Sequence, residues 1–132
     1  KSNRGKVINF TGGGSSSPQM IGYGSSKAAV IRFTESLAKE IKNTNVDVNV
    51  IAPGPTKTRM AEAIIKKGIE PDSHFNSSFE KIGDMVLFLA SSQSDGLTGK
   101  MFSAQYDNIG NIIKNKDKIM SSDAFTVRRI LL

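Results

Sequence analysis

Tyr23 and Lys27 stand four residues apart at the opening of an apolar, helix-patterned run. Four residues is just over one helical turn, so on a helix both side chains leave from one face. A phenol has an ordinary pKa of about 10 and exchanges protons poorly near neutrality. Lowering it by about three units takes roughly 4 kcal/mol of preferential stabilisation of the phenolate. A fixed ammonium one turn away supplies part of that, and the pair can then work as a tuned acid/base. A chance pair on a solvated helix face has the same spacing, so the flanking segments decide between the two.

Those segments have a regular order. Residues 7–10 form a β-rich run that ends in Thr11-Gly12-Gly13-Gly14-Ser15-Ser16-Ser17-Pro18, a loop signal. From Tyr23 onward Ala28, Ala29, Ile31, Phe33, Leu37, Ala38 and Ile41 recur at mixed three- and four-residue steps, which predicts a helix over residues 23–42. Residues 46–52 read as a strand, alternating at first and continuously apolar at its end, as in a buried parallel sheet. Pro53-Gly54-Pro55 stops it. A short helix is expected over residues 60–67, ending at Gly68. Another over residues 78–90 places Ile82, Met85, Val86 and Leu89 on one face, with Phe79, Met85 and Phe88 expected in the core. A last strand is expected over residues 100–104. Strands alternating with helices imply βαβ crossovers and an α/β fold with a parallel sheet.

Composition narrows the function classes. The 132 residues have the length of one small domain. With no cysteine, disulfides and thiolate metal sites are excluded, and a lone histidine, His74, supports neither a histidine-rich metal centre nor a Ser-His-Asp triad. No metal is expected. The net charge of +6 raises nucleic acid or an anionic cofactor as partners. The charge is scattered, in pairs such as Lys66-Lys67 and Arg128-Arg129, and no aromatic stacking motif accompanies it. A solvated surface is therefore the expectation, with no nucleic-acid partner. No apolar run has the length of a membrane span and no signal-peptide pattern opens the chain, so no membrane partner and a cytoplasmic location are expected. The chain opens on Lys1 and enters almost directly into a strand, the pattern of an interior segment.

Strand, Gly/Ser loop, Y-x-x-x-K helix, strand and Pro-Gly loop, in that order, resemble the short-chain dehydrogenase/reductase family from about Gly5 to Ala104. The resemblance implies a Rossmann-type doubly wound parallel sheet of which only the last three strands and their helices are present. Residues 1–105 would be the carboxy-terminal part of that domain and residues 106–132 an extension. Gly12-Gly13-Gly14 lacks the G-x-G-x-x-G spacing of the pyrophosphate turn, which is absent here.

The resemblance also assigns roles. Tyr23 would be the general acid/base at the substrate oxygen. Lys27 would stabilise its phenolate and hold the nicotinamide ribose. A serine of the family that binds the substrate oxygen has no single match: the loop is short, and Thr11, Ser15 and Ser16 compete. Ser15 has the better expected reach, with Thr11 close behind. Pro53-Gly54-Pro55-Thr56-Lys57-Thr58 matches the family's P-G-x-x-x-T, so Pro53, Gly54, Thr56 and Thr58 would contact the nicotinamide carboxamide or a phosphate. The cofactor would be NAD or NADP and the substrate a small carbonyl or alcohol. Residues 60–78 fall where the family covers its substrate, and Lys57 and Arg59 could attract an anionic one. A homodimer or homotetramer, built partly through the tyrosine helix, is implied for the full-length protein. Two rivals stand beside this reading. A non-catalytic, dinucleotide-binding scaffold homologue would account for the irregular serine loop. An extended-branch nucleotide-sugar epimerase or dehydratase shares Y-x-x-x-K, although Ala52-Pro53-Gly54 favours the shorter branch. The tail from Tyr106 would dock on the body or on a partner subunit.

Overall fold

The computed structural model describes residues 4–12, 20–68 and 77–127. Within them β1 (Gly5–Phe10), β2 (Val46–Ala52) and β3 (Met101–Ser103) form a parallel sheet in the order β1-β2-β3. The helices are α1 (Ile21–Glu40), α2 (Arg59–Lys66), α3 (Phe79–Ala90), α4 (Ile109–Lys114) and α5 (Lys116–Met120). The α/β architecture expected from the sequence is the one found. None of the described helices is long and apolar enough to cross a membrane.

β2 is the centre of the sheet, and its residues 47–51 are all buried. Side chains alternate along a strand, so neighbouring residues go to opposite faces. On β1 the amide of Asn9 donates to Thr34 Oγ1 of α1 at 2.9 Å. Ile8, one residue earlier, packs instead on a core of Ile51, Met85, Phe88, Leu89, Leu97 and Phe102. Helices α1 and α3 therefore cover opposite faces. With the strands in the order β1-β2-β3, helices on opposite faces make the two crossovers opposite in hand, so one departs from the right-handed rule.

Several sequence expectations are refined. Helix α1 spans Ile21–Glu40, ending two residues before the expected point, with Ile41 as its cap. Ser78 is the N-cap of α3, its Oγ accepting from the Lys81 N–H. Met85, Phe88 and Leu89 are buried, but Phe79 is 65% exposed, contrary to the core expectation. It opens the helix, ahead of the residues that reach the sheet. As expected for a strand of a buried parallel sheet, β2 is covered along its length, and the burial takes in the polar Asp47 and Asn49. Asn49 is satisfied on both sides, donating to the Leu97 carbonyl at 2.8 Å and accepting from the Lys100 N–H at 3.1 Å. The tail docks on the body: Ile112 and Ile119 join the α3-side core, and the Phe125 ring lies 5.3 Å from that of Phe102.

Asp47 gathers the charge at the amino end of the sheet. Arg4 donates to both its oxygens at 2.9 Å, and Lys6 and the Gly96 N–H donate to Oδ2 at 2.9 and 3.1 Å. Lys6 also pairs with Asp95 at 2.7 Å. Burial pushes the Asp47 carboxyl up, but these hydrogen bonds and the Lys6 charge outweigh it and hold the group below its ordinary value. A carboxylate whose folded pKa is depressed stabilises the fold fully above its unfolded value of about 3.9. That contribution is lost as pH falls through the folded value. Asp47→Asn is expected to lower stability at pH 7 by about 3 kcal/mol, since it removes the buried carboxylate that Arg4 and Lys6 share. Urea titrations at pH 7 and below pH 4 should show the deficit shrinking in acid; an equal deficit at both pH values would reject the electrostatic account.

Candidate active site

The carboxyl ends of the three strands lie side by side, because Phe10 is in register with Ile51 and Ala52 with Ser103. In a doubly wound sheet that end is where ligands bind. Thr11 continues β1: its N–H donates to the Ile51 carbonyl at 2.9 Å and its Oγ1 donates to the Lys27 carbonyl at 3.0 Å. The second bond ties the second turn of α1 to the strand end. It fixes where Tyr23 and Lys27 must project.

Lys27 Nζ reaches the Phe10 carbonyl at 3.5 Å and lies 5.8 Å from the centroid of the Tyr23 ring. That is within the range at which an ammonium feels the ring's electron density. Both side chains are half-buried. The Tyr23 hydroxyl rests against Gly12, where any Cβ would collide with it. Thr11 is 5% exposed and has its hydroxyl hydrogen committed to the Lys27 carbonyl. To donate to a substrate oxygen it would first have to release that bond. Ser15, Ser16 and His74 lie outside the described residues.

The turn after β2 approaches from the neighbouring strand. Gly54 has φ +78°, the left-handed region that glycine enters without steric cost, and its Cα packs against Ser77 and Gln105. Thr56 Oγ1 donates to the Gly54 carbonyl at 3.1 Å. Thr58 is the N-cap of α2, accepting from the Ala61 N–H at 3.2 Å, and keeps its hydroxyl hydrogen available to donate. Pro53, Gly54 and Thr56 are half-buried, and Thr58 is exposed. The structure thus brings Tyr23, Lys27 and Thr11 together, with the Pro53–Thr58 turn beginning on the adjacent strand end. Sequence reasoning placed Gly12 where the resembled family often has a serine, but did not single out its contact with the phenol, nor Ser77. Ser77, whose enclosed Oγ has no hydrogen-bond partner, sits in a polar stretch with no pattern to mark it.

A family model described as enoyl-(acyl carrier protein) reductase matches residues 1–105. Among curated proteins, 3-oxoacyl-(acyl-carrier-protein) reductase FabG of Thermotoga maritima is 34% identical over 109 residues, covering 76% of this chain and 44% of the relative. A short chain dehydrogenase from Salmonella enterica serovar Typhi superposes with a TM-score of 0.63 at 26% identity, over 79% of this chain and 42% of that one. A 4-hydroxyisoleucine dehydrogenase complexed with NADH superposes with a TM-score of 0.60 at 27% identity, over 76% and 44%. The chain spans less than half the length of each of these three.

Two substitutions test the geometry. Gly54→Ala is expected to cost more than about 1 kcal/mol, since alanine is strained at positive φ, and a shift in the urea midpoint would measure it. The chain has two tyrosines and no tryptophan, so a Tyr106→Phe background leaves Tyr23 as sole emitter. There Gly12→Val should push the phenol outward and raise its quenching by acrylamide. Unchanged quenching would show that the phenol does not rest on Gly12.

Proposed function

The chain belongs to the short-chain dehydrogenase/reductase family, and on that premise we propose that the polypeptide carrying it interconverts a carbonyl and a secondary alcohol. The observation that carries the proposal is the position of the Tyr23 hydroxyl. It lies on bare Gly12 at the carboxyl end of β1, with Lys27 over the same ring. Tyr23 would hand a proton to the substrate oxygen in reduction and take it back in oxidation. The Lys27 ammonium would stand beside the phenol and hold the hydroxyls of a ribose.

The chain's residues fit a nicotinamide dinucleotide on this side of the sheet. Gly54, its Cα covered by Ser77 and Gln105, would set the tight turn that presents backbone groups to a flat amide, and Thr58 retains a hydroxyl hydrogen for an acceptor. Pro53 and Thr56 would set the direction of that turn. NAD or NADP, when bound, would supply or accept the hydride. The NADH-bound relative supports the cofactor class. The pyrophosphate turn is not in these residues, so the chain by itself should bind the cofactor negligibly. Thr11 is engaged with α1, which leaves Ser15 and Ser16 as candidates to hold the substrate oxygen, Ser15 being preferred for its expected reach. The relatives named above act on different substrates, and the substrate class proposed is no narrower than a small carbonyl or alcohol. The exposed side of α1, with Ile21 and Phe33 among small residues such as Ala28 and Ala29, is the proposed surface for a homodimer or homotetramer.

The committed hydroxyl of Thr11 and the missing side chain at Gly12 favour one alternative, a dinucleotide-binding homologue without turnover. Tyr23→Phe in the complete polypeptide separates the two. Turnover of a carbonyl substrate with NADH or NADPH should fall by about 10²–10⁴-fold, the usual worth of a positioned acid/base. Equal turnover would reject the role of the phenol, and cofactor binding with no turnover in the parent would favour the alternative.

A further inference from the structure

The free edge of β3 is closed by the chain itself. In this strand Lys100, Phe102 and Ala104 direct their backbone groups to β2, as the bonds from Val50 N–H to the Lys100 carbonyl and from Ala104 N–H to the Ala52 carbonyl show. Met101 and Ser103 therefore direct theirs outward, where an uncovered edge would offer them to another strand. Both are taken. Met101 N–H donates to the Phe125 carbonyl at 2.8 Å. Ser103 N–H donates to Asp107 Oδ2 at 2.6 Å, and the Ser103 carbonyl accepts from the Asp107 N–H at 3.0 Å.

The segment that carries Phe125 is held from both faces of the sheet. On the α3 side, Ile112 and Ile119 are buried just before it. The buried Lys100 donates through Nζ to the carbonyls of Ser122 and Ala124 at 2.8 and 3.0 Å. On the α1 side, Glu35 accepts the Val127 N–H at 2.8 Å, and Arg32 donates to both Glu35 and the Val127 carbonyl. Between these anchors Phe125 adopts φ +60°, a conformation disfavoured for a bulky residue, while its ring stays on Phe102. Strain of this kind persists only where the surroundings over-determine it.

We propose that residues 121–127, with Asp107, form a strap that wraps the sheet edge and keeps β3 from pairing with a second copy of this chain. A second copy is the occupant excluded because its own β3 would present the same outward groups, and two such edges pair antiparallel about a twofold axis. Association through α1 is left open by the strap.

The test compares the full chain with Lys100→Met/Phe125→Asn, which removes the grip on the strap carbonyls and the ring while asparagine tolerates the backbone angle. Amide hydrogen exchange and light-scattering mass are read on both. In the parent, Met101 and Ser103 amides should be protected like Val50. In the variant, Met101 should exchange at least about tenfold faster while Val50 stays slow. Its mass should rise with concentration to twice the parent's. Fast Met101 exchange in the parent would refute the strap. Accelerated Met101 exchange with unchanged mass would refute its guarding role. Should the double variant lose Val50 protection, Asp107→Ala, which frees only the Ser103 N–H, decides by Ser103 exchange and mass: faster Ser103 exchange with unchanged mass would refute the guarding role.

Discussion

The parallel ladder of β2 between β1 and β3 is the constraint on which everything else in the molecule rests. Its residues 47–51 are buried, so every backbone group there must find a partner inside the protein. The register that satisfies them also fixes which loops meet. Phe10 beside Ile51 sets the end of β1 next to the end of β2, and the Thr11 N–H extends that pairing by one more bond. A slip of one residue would turn every side chain of a strand to the wrong face. The candidate site is thus a consequence of sheet register before it is a matter of side chains.

From that register a short chain of contacts reaches the chemistry. Thr11 Oγ1 holds the Lys27 carbonyl, which pins α1 at the turn after Tyr23. Once the helix is pinned, the phenol and the ammonium have little choice of direction. The absence of a side chain at Gly12 then lets the phenol settle on the strand end. A hydroxyl that binds backbone in this way serves positioning, and it is correspondingly less available to a substrate.

How far the sequence could be read follows from the kind of signal each feature leaves. The β2 strand and the stripe of Met85 and Leu89 on α3 were legible because burial imposes a period on apolar residues. Phe79 was misread because it shares the composition of that stripe but opens the helix. What the sequence did not show is how the buried Asp47 and Asn49 are satisfied: Arg4, Lys6, Leu97 and Lys100 supply their partners from segments distant in the chain. No local pattern encodes that. The Y-x-x-x-K pair was legible by spacing, whereas the Gly12 contact depends on a helix meeting a strand end across a loop. The opposite hands of the two crossovers were likewise invisible, since strand order and helix side are not properties of any single segment.

The two edges of the sheet are treated differently, and that difference bears on function. On the β3 side the chain uses its own tail, a buried lysine and a carboxylate to occupy the outward backbone groups. On the β1 side Val7 and Phe10 are 38% and 43% exposed, although strands of parallel sheets are ordinarily covered on both faces. Phe10 also carries the carbonyl that Lys27 approaches, so the less covered strand is the one beside the proposed site. A dinucleotide needs a pyrophosphate-binding turn as well as the groups described here, and this chain covers less than half of each relative. The open flank next to Tyr23 is where the remainder of such a site would have to join. The strapped flank, on the far side of β2, is where it could not.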